Sequence, residues 1–261
     1  MSDVTSFSSF AGESRKSGER ISRYRSAAYS QASLARLLLA EQACELADAA
    51  RDLVPTTSDA HAADGEFVKD STRLVETARR LLEAAVVYEH LRGTTWESIG
   101  VALGEVGHQA AHERYGRVGR EFQQRFLHAW LRPEHAHEIF TTADDLARFV
   151  AHLDAWVVAH RELDEIDHGD QPVTAGLRSM SIAERSALIT QAASQLQVVA
   201  ADPGADVRGS RELEIGLCRR SIELYEDLIV QSPGDPDALT ALAGARARLA
   251  VLQADEAAAT R

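Results

Sequence analysis

Cysteine is nearly missing from this chain. Cys44 and Cys218 stand far apart and in no CxxC pair. That excludes a disulfide framework and a zinc ribbon, and leaves two buried, inert thiols as the expectation. Long apolar runs are missing too: no stretch of about 18 apolar residues occurs. The opening MSDVTSFSSF has neither a basic leader nor an apolar core, so the reading is a cytoplasmic chain without a membrane partner. Positive charge is short, with 28 Lys and Arg against 40 Asp and Glu and a net charge of -12. A protein that coats nucleic acid through bulk electrostatics is thereby excluded, whereas a local basic face is not.

Catalytic signatures are also absent. There is no GxSxG, no GxxxxGK[ST], no GxGxxG after a strand and no HExxH. Paired carboxylates such as Asp144 and Asp145 are adjacent in sequence and point different ways on a helix. His108 with His112, and His135 with His137, have ligand-like spacing. No cysteine or carboxylate beside them completes a four-ligand set, so no metal is expected. The chain reads as no enzyme, with no catalytic residue and no cofactor.

What is present is helix. The 261 residues, 45% hydrophobic and 26% charged, suit one large domain or two ordinary ones. No segment alternates with period two, whereas helical spacing recurs throughout, so the fold class expected is all-α. Charge is uneven: residues 1–36 carry six Lys and Arg against three Asp and Glu, 37–140 carry 11 against 17, and 141–261 carry 11 against 20. The basic part is the front, where Arg15, Lys16, Arg20, Arg23 and Arg25 cluster. Residues 1–29 are read as a flexible basic arm.

A first amphipathic helix is expected from about Ser30 to Leu53, within a segment 30–56 stopped by Pro55. Its stripe is Ala32, Ala35, Leu39, Ala43, Leu46, Ala50 and Leu53. Such a stripe packs inside the monomer or against a second copy, and the spacing alone does not choose. A second helix carries Leu74, Ala78, Leu81, Ala85, Tyr88 and Leu91 and ends at Gly93. Downstream, Thr142 with Asp145 marks a helix start, and Leu146, Phe149, Leu153, Trp156 and His160 form its stripe. Ser181 with Glu184 makes a capping box for a helix reaching about Ala200. Near the end, Ser221, Tyr225, Leu228, Pro233, Leu239, Leu242 and Ala243 resemble a tetratricopeptide-like hairpin. One hairpin, packed on its neighbours, is expected, because a repeat array needs about three units to stand alone.

The richest stretch is GTTWESIGVALGEVGHQAAHERYG, from Gly93 to Gly116. Thr94 and Glu97 read as a capping box. Trp96, Ile99, Gly100 and Leu103 then fall at i, i+3, i+4 and i+7, and Gly104 ends the short helix. A second helix follows from near Gly107, with Ala110, Ala111 and Tyr115 turned against the first and His108, Gln109, His112 and Glu113 outward. This is the layout of a helix-turn-helix. After Gly116 and Gly119, the positions Val118, Phe122, Phe126 and Trp130 continue at helical spacing to Pro133, a stripe suited to core packing.

The pattern resembles a group of actinobacterial helix-turn-helix DNA-binding proteins. Its carriers are Trp96, Ile99, Gly100, Ala102, Leu103, Gly104, Gln109, Ala110, Ala111, Arg114 and Tyr115. In that group a Val-Ser-Arg turn precedes Gln-Ala-Ala; here the turn is Glu105, Val106, Gly107 and His108, one residue longer and without the arginine. The resemblance implies a helix-turn-helix domain over residues 66–132; the helices that follow are read as a carboxy-terminal helical domain over 133–261 with the tetratricopeptide-like hairpin, serving assembly or partner contact. The resemblance also implies a transcriptional regulator on double-stranded DNA, with His108, Gln109 and His112 at base edges and Arg114, Arg117 and Arg120 on phosphates. A homodimer would double those contacts. Between Arg92 and Arg114, however, no Lys or Arg occurs, while Glu97, Glu105 and Glu113 do. The competing expectation is therefore a protein–protein adaptor whose helix-turn-helix no longer reads DNA.

Overall fold

A computed structural model describes residues 29–56, 62–104, 108–133, 139, 146–161, 169–201 and 206–259. Among the described residues there are eight α-helices and no strand, so the fold is all-α. In chain order they are α1 (Gln31–Asp52), α2 (Glu66–Leu91), α3 (Trp96–Ala102), α4 (His108–Leu131), α5 (Leu146–His160), α6 (Ile182–Ala200), α7 (Val207–Gln231) and α8 (Pro236–Ala259). No helix among the described residues is long and apolar enough to cross a membrane. The helices fall into two compact units that interleave along the chain. One comprises Tyr29–Gln123 and Thr142–Ser179, the other Gln124–Thr141 and Met180–Arg261.

In the first unit α1 packs on α2, and α5 packs on α1. Ser30 starts α1 by accepting the Ser33 amide at 3.2 Å. Ser33 in turn exchanges hydrogen bonds with the backbone of Arg178, receiving its N–H at 2.8 Å and donating to its carbonyl at 3.0 Å. The buried side of α1 is Leu34, Ala35 and Leu37, while Ala43 and Ala50 of the expected stripe are exposed. The difference has a cause: α1 has partners on two sides, so its buried arc is wider and rotated from a single seam. A polar network joins α1 to α2. Buried Gln42 donates to Glu45 at 3.2 Å, and Arg80 donates to both Glu45 at 3.1 Å and buried Thr77 at 3.0 Å.

Asp154 of α5 is 5% exposed and organises the chain beyond it. It accepts the amides of Val173 at 2.7 Å and Thr174 at 3.0 Å, and the Thr174 hydroxyl. These are charge-assisted bonds in a buried setting. Asp154→Ala should cost about 2–3 kcal/mol, because it leaves buried donors unpaired. Urea melts measure the loss, and limited proteolysis should show new cleavage between residues 169 and 179. The expected helix start at Thr142 and Asp145 lies outside the described residues; the stripe that follows it is present, with Leu153 buried and Trp156 donating to Asp48 at 3.2 Å.

In the second unit α6 begins with the capping box foreseen at Ser181 and Glu184, both of whose reciprocal hydrogen bonds are formed. α7 and α8, of 25 and 24 residues, pack together across a turn at Ser232–Asp235 in which Gly234 has φ 91°. Each of these helices is longer than half of a 34-residue tetratricopeptide repeat. Ile215, Cys218 and Leu252 form their buried contact, with Leu249 against it. The end of α4 is tied to α7 by buried Arg220, which donates to the Trp130 carbonyl at 2.7 Å and to Glu223 at 2.8 Å. A Cβ on Gly216 would stand 2.2 Å from the Leu131 carbonyl oxygen, so the two backbones meet there with room only for glycine. Of the two thiols expected to be buried, Cys218 is buried and Cys44 is half-buried. Burial, and next Asp48, push Cys44 up to about 11, and burial likewise raises Cys218.

Candidate nucleic-acid interface

α2 closes with Gly93 in the left-handed region at φ 102°, which sets where α3 can begin. The cap of α3 is Thr95, extended at φ -73° and ψ 153°, whose hydroxyl accepts the Ser98 amide at 3.2 Å. The sequence reading placed that cap on Thr94 with Glu97. Thr94 instead donates its hydroxyl to Glu89 at 2.6 Å and its amide to the Glu89 carbonyl at 3.0 Å, so it serves the end of α2. α3 stops at Gly104, with φ 71° and nothing within 4 Å of an added Cβ. Gly104→Ala should therefore cost about 1–2 kcal/mol from backbone strain alone, read as a lower urea midpoint. The turn residues 105–107 lie outside the described residues.

One apolar cluster holds α2, α3 and α4 together. Val86, Ile99, Ala111 and Tyr115 are each 5% exposed or less, with Trp96 and Leu103 packed against them. Gly100 is buried as well. The Trp96 ring lies between two histidines: His90 at 4.6 Å between centroids and His112 at 5.3 Å, edge-on. Ala110, read as inward, is exposed; at 100° per residue it falls off the side that Ala111 and Tyr115 share.

α4 runs unbroken from His108 to Leu131, so the second helix expected from near Gly107 and the stripe that continues past Gly116 and Gly119 are one element. Gly116 stays helical beneath the side chains of His112 and Arg120. The inward stripe of α4 carries Phe122, Phe126 and Trp130, all buried.

Its outward face is polar from the first turn. Gln109, Glu113, Arg117 and Arg120 are exposed, and by helical geometry they lie within an arc of about 80°. Arg114 sits at about 140° from Gln109, roughly 60° outside that arc, with its guanidinium 5.2 Å from the Tyr115 ring centroid. Gln109 donates to Glu113 at 3.0 Å, and Arg117 pairs with Glu121 at 3.1 Å. Among the described residues no ion pair involves Arg120. His112 is exposed at one edge and braced on Trp96 at the other. The His108 side chain lies outside the described residues, as does the basic segment Arg15–Arg25.

Earlier arginines are committed to carboxylates: Arg79 to Glu76 and Glu83, Arg80 to Glu45, and Arg92 to Glu89. Exposed pairs of this kind contribute only a few tenths of a kcal/mol, so a phosphate can displace the glutamate. Among the described residues no group of three or more His, Cys, Asp or Glu is placed to hold a metal ion, and His135 and His137 lie outside them. Compared with protein-family models, curated proteins and solved structures, the chain matches none.

Proposed function

We propose that the protein is a cytoplasmic transcriptional regulator that binds double-stranded DNA through the front half of α4. One observation carries this reading: a three-helix cluster fixes α4 by Ala111 and Tyr115 while Gln109, Arg117 and Arg120 stand exposed on a shared side. A helix presented in this way suits the major groove, where Gln109 offers an adenine the donor and acceptor it needs. His112 would meet the neighbouring base from a ring already immobilised on Trp96, and His108 would stand at the helix start. Arg117 and Arg120, with Arg114 at the flank, would hold phosphates. The cations are few, so one copy binds weakly and a homodimer is needed for useful affinity.

Selection of fragments of the source genome by the purified protein tests the reading. Enrichment of a particular fragment is expected. Gln109→Ala should weaken that fragment by about 1–3 kcal/mol while leaving nonspecific duplex unchanged. An equal loss on both would deny Gln109 a reading role.

A second reading is favoured by the Gln109–Glu113 hydrogen bond and by exposed Glu97. With the candidate reader occupied by Glu113, the protein would serve as an adaptor for a protein partner through the carboxy-terminal helices. Glu113→Ala separates the two: it should strengthen DNA binding if α4 reads DNA, by freeing Gln109 and removing a negative charge, and should leave DNA unbound in an adaptor.

A further inference from the structure

Gly116 lies beneath two side chains of its own helix. A Cβ built on it would stand 3.2 Å from Nε2 of His112 and 3.4 Å from an Nη of Arg120, which come from one turn before it and one turn after. The two groups converge over a residue that has no side chain, and the missing Cβ leaves the gap between them open. His112, Gly116 and Arg120 share one side of α4, and Gln109 falls within about 60° of each.

No carboxylate occupies this pair. Arg79, Arg92 and Arg117 each meet a glutamate three or four residues away on the same helix. At those spacings neither His112 nor Arg120 has an acidic neighbour on α4, and among the described residues no ion pair involves Arg120. Glu113, next to His112 in the chain, accepts from Gln109 instead. From α3 the Trp96 ring meets His112 edge-on, and from α2 His90 meets that same tryptophan. Glu105 of the turn lies outside the described residues.

We propose that His112 and Arg120 are the two prongs of a phosphate seat over Gly116, which His112 fills as the imidazolium. Both nitrogens lie within 3.4 Å of one point, close enough for the two free oxygens of a phosphodiester to accept from both. A neutral imidazole offers one uncharged donor at most, whereas the protonated ring brings Nε2–H together with a charge. The contact is therefore made at the acid end and lost as pH rises through the range in which histidine gives up its proton. Affinity for the ligand is thereby coupled to pH. Since Nε2 is taken up here, the base contact proposed for His112 falls to Nδ1. Only the carrier of the phosphate rests on the DNA reading, because the same chemistry takes free inorganic phosphate.

Two probes separate the seat from the source of its ligand. When inorganic phosphate is added to the full chain at constant ionic strength, the ring signals of His112 in NMR spectra should move toward those of the imidazolium, and in Arg120→Ala they should stay. With the selected duplex, affinity should rise on the order of tenfold from about pH 8 to about pH 5.5. The slope of log affinity against log salt should steepen over the same interval by about 0.9 for each copy. His112→Phe keeps an aromatic ring against Trp96 without a proton to give, so it should fold as the parent does and lose most of both changes. A phosphate response without duplex binding would support the seat, assign it to a free phosphate compound and count against the DNA reading alone. Duplex binding whose pH dependence survives in His112→Phe, or His112 signals indifferent to both phosphate and duplex, would overturn the seat.

Discussion

Tyr115→Ala lowers the free energy of unfolding by about 3–5 kcal/mol, the range for removing a buried aromatic side chain. Tyr115 is 5% exposed and shares its cluster with Val86, Ile99 and Ala111, which come from three different helices. Deleting the ring leaves a void that backbones pinned by Gly93 and Gly104 turns cannot readily close, so the transfer and cavity terms add. Urea melts followed by far-UV circular dichroism measure the change. Gln109→Ala is the control: the same helix, an exposed side chain, and an expected change within about 0.5 kcal/mol. A loss below about 1 kcal/mol for Tyr115→Ala would mean that the ring is not the keystone of the three-helix unit.

The largest functional effect is expected from reversing Arg117 and Arg120 together. Each arginine that neutralises a phosphate contributes about 0.9 to the slope of log affinity against log salt, so losing both removes roughly 2 from it. Two glutamates facing the backbone add repulsion, and affinity at low salt should fall on the order of a hundredfold. Both side chains are exposed, and Arg117 gives up only an exposed pair with Glu121, so the fold should be unaffected. Fluorescence anisotropy with a labelled duplex measures it. Retained affinity with an unchanged salt slope would remove these two arginines from the interface.

The helices and their stops were legible because periodicity and capping are local. Ser30, Ser181 with Glu184, Gly93 and Gly104 mark ends that the structure places where the spacing put them, within a residue. The inward set of the motif, Trp96, Ile99, Gly100, Leu103, Ala111 and Tyr115, was legible for the same reason. What failed depended on neighbours distant in sequence. The Thr94 and Glu97 box lost to Thr95 because Glu89, on the preceding helix, captured the Thr94 hydroxyl. α1 meets partners distant in sequence at both ends, Ser33 with the backbone of Arg178 and Asp48 with Trp156 of α5, which its own spacing does not announce.

Some of the candidate site had no sequence signal at all. Nothing in the order of residues announces that His90 and His112 both meet the Trp96 ring, since they lie on α2 and α4 and the tryptophan on α3. The same holds for Arg220, a single arginine in an amphipathic helix, which completes the end of α4 at the Trp130 carbonyl.

The dependence on salt of the affinity for a selected genomic fragment tests the DNA reading most directly. If α4 meets the duplex with Arg114, Arg117 and Arg120 of each copy, log affinity should fall with log salt at a slope of about -3 for one copy and steeper for two. No retained fragment at low salt, or an affinity that does not change with salt, would contradict it.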